Sequence, residues 1–200
     1  MSTKQRHPVV LVHGINDTGA VFNKMAFNLQ EQGWSVYALD MVPKNGSAPL
    51  EKLAQQVADY INMNFAPEQP LDLIGFSMGG LVSRYYVQRL GGIARVKRFI
   101  TISSPHQGTV VAYGSQLDGC MQMRPNSPFL QDLKADVEML KQINFTSIWT
   151  PYDLMIVPAN SSSLGVGKEI IIPVVLHPWM LTHSSVFDVV VLALKEPVGH

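Results

Sequence analysis

Two hundred residues suffice for one ordinary domain, a sheet covered by helices, and exclude a second full core. Apolar side chains make up 46% and charged ones 15%, which excludes a disordered chain, and 15 cationic residues against 15 anionic ones leave no field to hold nucleic acid. The single cysteine, Cys120, excludes an internal disulfide framework and is compatible with a reducing compartment.

Residues 1–8 are polar and lead directly into the first apolar run, without the apolar core and small-residue cleavage site of a secretory signal. No stretch is apolar for long enough to span a bilayer. A cytoplasmic protein is expected, for which peripheral contact with a membrane surface stays open. One domain is expected over residues 1–200, and the sequence carries no signal for an oligomeric state.

In chain order, β-branched runs alternate with helical patterns. Strands are expected at Val9–Val12, Ser35–Leu39, Leu71–Gly75, Arg98–Ile102, Phe145–Trp149 and Ile170–Leu176. Helices are expected at Gly19–Gln32, Leu50–Met63, Gly79–Leu90, Ser127–Gln142 and Ser184–Leu194. In the second helix Leu50, Leu53, Val57, Tyr60 and Ile61 share one face. Several strands are apolar on both faces, as parallel strands buried under two helical layers must be. Pro173 has no amide hydrogen, so the last run should be an edge strand. The expectation is an α/β fold, a minimal doubly wound, mostly parallel sheet of about six strands flanked by helices, with no large lid domain. In such sheets ligands bind beyond the carboxyl ends of the strands, so the loops there should hold the chemistry.

One of those loops is Gly75-Phe76-Ser77-Met78-Gly79, a G-x-S-x-G between an apolar strand and an amphipathic helix. That turn lifts a serine hydroxyl above the sheet edge, and a Cβ at either outer glycine would strike neighbouring backbone. Ser77 is therefore the candidate nucleophile. The helix that follows aims free amide hydrogens and its positive dipole end at the same spot. Acyl transfer also needs two amide donors for the oxyanion. Met78, directly after the serine, and Ile15, on the loop after the first strand, are the candidates, with Gly14 admitting the backbone. His13, at the end of that strand, reads as a buttress of the loop rather than a catalytic group.

His13-Gly14-Ile15, Gly75-Phe76-Ser77-Met78-Gly79-Gly80 and Ser103-Ser104-Pro105-His106-Gln107-Gly108-Thr109 together resemble the small bacterial triacylglycerol lipases of the α/β-hydrolase superfamily. The similarity runs from the first strand to the last helix. It implies hydrolysis of carboxylic esters, lipid or other small-molecule esters, through a Ser-Asp-His triad with no cofactor and no metal.

In this fold the triad follows the chain order Ser, acid, His. The segment Phe145–Pro158 reads as strand, turn, Asp153 and an apolar stretch, and is similar to the acid loop of those lipases. Asp132, Asp136 and Glu138 fall in a helical pattern and read as a solvated face, while Glu169 precedes its strand at the wrong end of the sheet. His177 follows the last strand, and His177-Pro178-Trp179-Met180-Leu181 resembles the base loop. His183, at the start of the last helix, is the alternative base or a capping residue. His106 reads as fixing its loop, and His7 and His200 as terminal and solvated. No two histidines have the i, i+4 helical spacing of a zinc site. Residues 110–124 and the helix holding Phe129, Leu130 and Leu133 lie where many hydrolases carry acyl-binding elements. Flexible methionines there, and Trp179 with Met180 beside His177, suit acyl chains, with core packing the alternative for Leu130 and Leu133. The same triad serves thioesterases, amidases and peptidases, and a binding protein that has lost its chemistry would keep the same pocket.

Overall fold

Six short apolar runs become six parallel strands, ordered β2-β1-β3-β4-β5-β6 in one sheet. The computed structural model describes residues 6–198, so the first five residues of the polar leader and His200 lie outside the described residues. The strands are β1 (Val9–Val12), β2 (Val36–Leu39), β3 (Leu71–Phe76), β4 (Val96–Ile102), β5 (Asn144–Trp149) and β6 (Lys168–Ile171). The helices are α1 (Asn23–Glu31), α2 (Leu50–Asn64), α3 (Met78–Arg89), α4 (Asp118–Gln122), α5 (Pro128–Ala135) and α6 (Ser184–Lys195).

The period-two geometry of a strand sends alternate side chains to opposite faces, and both faces are apolar here. Val10, Val12, Leu71 and Leu73 pack with Leu53, Val57 and Ile61 of α2 and Leu81 and Val82 of α3. Val9, Leu11, Ile74 and Phe76 pack with Met25 and Leu29 of α1 and Val186 and Val190 of α6. The sheet is therefore the middle of three layers, as the patterning predicts. The expected face of α2 is buried, with Tyr60 half-buried at its margin.

Several expectations need correction. The run Ile170–Leu176 is a strand only at Lys168–Ile171. Ile172 donates the last ladder bond, to the Trp149 carbonyl at 2.9 Å, and Pro173 has no hydrogen to continue it. Pro173 thus lies past the edge strand, not in it. Glu169 is inside β6 and accepts the Trp149 indole N–H at 2.7 Å. The stretch Ser127–Gln142 is two pieces, α5 and a 3-10 turn at Val137–Gln142. Its break falls where α3 takes over the helix's carbonyls. Arg84 Nη2 and Gln88 Nε2 donate to the Leu133 oxygen at 2.7 and 3.0 Å, and Gln88 Nε2 also donates to the Asp136 oxygen at 2.9 Å. Finally, α3 is buried nearly all round rather than amphipathic, because α2 and α5 pack on it while its root sits on β3.

The chain leaves β1 for β2 on one side and later places β3 on the other, which makes the β1–β3 border the topological switch point. Val12 is in register with Gly75, so the loops that follow these two strands emerge side by side. Those loops carry Ile15 and Ser77.

Candidate active site

Ser77 sits between β3 and α3 with φ 53° and ψ −124°, a left-handed conformation that costs a non-glycine residue on the order of 1–3 kcal/mol. Surrounding backbone holds it there. The Ser77 amide donates to the Ile102 carbonyl at the end of β4 at 2.9 Å, and Gly80 donates back to the Ser77 carbonyl at 3.0 Å. The outer glycines are required sterically. A Cβ on Gly79 would lie 2.2 Å from the Val12 oxygen and 2.4 Å from the His13 oxygen, and one on Gly75 would lie 2.5 Å from the Gly80 Cα. All three obstacles are backbone, so no rotamer relieves them. Gly79→Ala is expected to lose about 3 kcal/mol or more of stability in urea unfolding, because β1 and α3 must separate.

A histidine–carboxylate pair packs on Phe76, the residue before the serine. His177 Nδ1 lies 2.7 Å from Asp153 Oδ2, both side chains being nearly inaccessible to solvent. Asp153 Oδ1 accepts the amides of Met155 and Ile156 at 2.9 Å each, through a tight turn after β5. Burial pushes the Asp153 carboxyl up. The hydrogen bond and charge of His177, with the two backbone amides, outweigh that push and leave it below its ordinary value. An ionised carboxylate only accepts, so Nδ1 carries the ring proton and Nε2 is the free basic nitrogen when the ring is neutral. The His177 ring packs on Phe76, the residue before Ser77, with centroids 4.8 Å apart. His177 is thus tied to the residue that precedes Ser77, and no direct hydrogen bond joins it to Ser77 among the described residues. Such bonds are often long before substrate arrives.

His177 opens a 3-10 turn (His177–Leu181) separated from β6 by residues 172–176, not directly after the strand. His183 is exposed at the N-cap of α6, where its side chain makes no capping bond.

The loop holding Ile15 is fixed from behind. His13 Nε2 accepts the Met41 amide at 2.9 Å, which leaves the proton on Nδ1 to be donated to the Gly14 carbonyl at 2.8 Å. The N–H of a trans peptide points opposite to its C=O, so pinning the Gly14 oxygen sets the direction of the Ile15 amide. Among the described residues neither the Ile15 nor the Met78 amide donates to another protein group. Ile15 and Ser77 both line an apolar cavity of about 110 Å3, with Val111, Cys120, Met123, Met155 and Ile156 among its walls. Val111 and Met155 are also exposed to solvent at its mouth.

Of the methionines expected near an acyl chain, Met123 lines this cavity, Met121 lines a separate depression with Pro49 and Glu51, and Met180 is fully buried in the core beneath α6. Leu130 and Leu133 belong to the core. His106 is buried, with Nε2 on Thr101 Oγ1 at 2.9 Å, and burial beside the Arg84 cation drives its pKa well below the ordinary value, which keeps it neutral. His7 is not simply solvated: it lies 3.3 Å from the buried Asp72 carboxylate, which also holds Arg98 at 3.0 Å. Asp132 and Asp136 pair with Arg89 on the surface. Among the described residues no group of three His, Cys, Asp or Glu side chains could hold a metal ion, and no helix is long and apolar enough to cross a membrane.

Two residues near the centre went unnoticed in the sequence. Asp17 brings its carboxylate to the face of Gly14, where Ser77 Cβ also converges, and Phe76 supplies the ring under His177. Both contacts join segments distant in the chain, the first through the pairing of β1 with β3 and the second between β3 and the turn that follows β6, and local spacing gives no signal for either.

The chain is similar to several known proteins. A triacylglycerol lipase of Pseudarthrobacter phenanthrenivorans is 30% identical over 115 residues, covering 54% of this chain and 35% of that protein. A lysosomal thioesterase PPT2 homolog of Drosophila melanogaster is 34% identical over 107 residues, covering 50% of this chain and 36% of that one. The matches span about a third of the length of these curated relatives. The mature lipase BlEst2 of Bacillus licheniformis superposes with a TM-score of 0.78 at 16% identity, over 98% of this chain and 95% of that one, and so shares the fold. The family model described as palmitoyl protein thioesterase matches residues 8–134, from β1 through the Ser77 turn to the end of α5. The chain is an α/β-hydrolase resembling small lipases, and it belongs to the palmitoyl protein thioesterase family.

Proposed function

We propose that the protein is a serine hydrolase that cleaves acyl esters through an acyl-enzyme on Ser77. The observation that carries this reading is the 2.7 Å His177–Asp153 bond, packed on Phe76, together with a serine next in the chain that is held at φ 53° on the wall of an apolar cavity. His177 Nε2 takes the Ser77 proton as Oγ attacks the carbonyl carbon. The amides of Ile15 and Met78 receive the oxyanion, each contributing on the order of 3 kcal/mol to lowering the barrier. His177 then gives that proton to the departing alcohol. Water repeats the sequence on the acyl-enzyme, releases the acid and restores the serine. Asp153 stays ionised, fixing the ring and stabilising the imidazolium.

The apolar cavity supports an acyl group as the part retained on the serine, and lipid esters as the substrate class. Val111 and Met155, which line it and are exposed to solvent, suit contact with acyl chains. A second reading, acyl thioester cleavage, is favoured by the family match and by the Drosophila relative. Both readings use the same residues, so the test has two arms. A fluorophosphonate probe should label the protein at Ser77, as mapped by mass spectrometry, and Ser77→Ala should abolish the labelling. One acyl chain offered as oxygen ester and as thioester then separates the readings. Faster turnover of the oxygen ester supports the first, and turnover of the thioester alone replaces it with the second. An unlabelled protein with neither activity sinks both.

A further inference from the structure

The serine, its histidine and the acyl cavity leave one charged group of the site unused. Asp17 is half-buried in the turn after β1, where its amide donates to the Gly14 carbonyl at 3.4 Å. Its Oδ2 lies 3.1 Å from the point where a Cβ on Gly14 would stand, and Ser77 Cβ lies 3.1 Å and Phe76 Cδ1 3.3 Å from that same point. The carboxylate, the candidate nucleophile and the ring that carries His177 therefore converge on one small volume. Asp17 is absent from the walls of the acyl cavity, which are built by Val111, Met123, Met155 and their neighbours. Its carboxylate is within electrostatic reach of His177, the group that has to protonate the leaving group in the proposed reaction.

An unpaired carboxylate there needs a reason. Among the described residues its side chain has no hydrogen-bonded or ion-paired partner. Burial raises its carboxyl above the ordinary value, against a through-space pull to which Lys44 contributes. A negative charge beside the forming oxyanion opposes the reaction of a neutral or anionic substrate. The opposition turns into attraction if the substrate brings a cation.

We propose that Asp17 is a specificity residue of the leaving-group subsite, selecting acyl substrates whose alcohol or thiol part carries a positive charge. A quaternary or protonated ammonium a few ångströms from the scissile oxygen would lie against Asp17 while the acyl chain fills the cavity. The inference rests on the serine hydrolase reading, and the following comparison fails separately from it.

The test uses two esters of one short fatty acid, the choline ester and its neutral isostere, the 3,3-dimethylbutyl ester, which match in shape and differ by one charge. The wild type should show kcat/KM about tenfold higher for the choline ester, the size of one ion pair in a half-solvated cleft. Asp17→Asn, which keeps the shape and removes the charge, should bring the two values together and retain hydrolysis of the neutral ester. A merely structural role would lower both and leave their ratio unchanged. Equal rates in the wild type, or a preference that survives in Asp17→Asn, overturn the assignment while leaving the hydrolase reading intact. If neither ester turns over, fluorophosphonate labelling at Ser77 decides the hydrolase reading, and calorimetric titration with choline and 3,3-dimethylbutanol decides the subsite. Tighter binding of choline that Asp17→Asn removes supports it, and equal binding overturns it.

Discussion

Ser77→Ala, His177→Ala and the double variant are expected to lose acyl ester hydrolysis to the same depth, roughly 10⁶-fold in kcat. The equality matters more than the size. A serine hydroxyl is a weak nucleophile until a base takes its proton, and an imidazole with no serine to activate has no bond to form. If the two act as one unit, the second deletion removes nothing that the first has left. The residue of activity should come from the Ile15 and Met78 amides and from substrate binding alone. Additive losses would mean that Ser77 and His177 serve different steps. His183→Ala is the control. Its side chain is exposed and makes no capping bond, so kcat and KM should stay at wild-type values. Steady-state kinetics on a nitrophenyl acyl ester, with folding checked by circular dichroism, measures all four variants.

The sheet was legible in the sequence because its strands are apolar on both faces and bounded by helical patterns, and the G-x-S-x-G turn because its glycines answer a local steric demand. Val9–Val12 appears with the expected bounds, and the Ser77 turn sits where strand and helix patterns meet. What was not legible depends on contacts between distant segments. Ile170–Leu176 reads as one β-branched run, yet its pairing ends at Ile172 because the partner strand ends at Trp149 and Pro173 offers no donor. Ser127–Gln142 reads as one helix, yet side chains of α3 claim its carbonyls. The acid and base segments were found by resemblance and chain order rather than by periodicity. Asp17 lies just past the His13-Gly14-Ile15 motif and went unread, since only the neighbouring of β1 and β3 brings it to the serine.

Asp153→Asn is expected to lower kcat roughly 10⁴-fold without unfolding the protein, and the hydrogen bonds of the site say why. Asp153 Oδ1 accepts two backbone amides, from Met155 and Ile156, so in the variant the amide oxygen must occupy that position. The NH2 group then faces His177 at the place of Oδ2. A donor there forces Nδ1 to accept, which moves the ring proton to Nε2, the atom that must be free to take the Ser77 proton. The substitution thus preserves shape and inverts the tautomer. Nitrogen-15 spectra of the imidazole should show the proton on Nδ1 in the wild type and on Nε2 in Asp153→Asn. A variant with the wild-type tautomer and wild-type kcat would remove Asp153 from the mechanism. Stability supplies an independent reading. The folded Asp153 carboxyl ionises below its ordinary value, so its ionised form stabilises the fold above that value, and the contribution is lost as pH falls through the folded pKa. Melting temperatures of wild type and Asp153→Asn should therefore converge as pH drops below about 4, the ordinary value for aspartate. A gap that held constant through that range would mean the carboxylate is not ionised against His177, and with it the orientation of the ring would lose its cause.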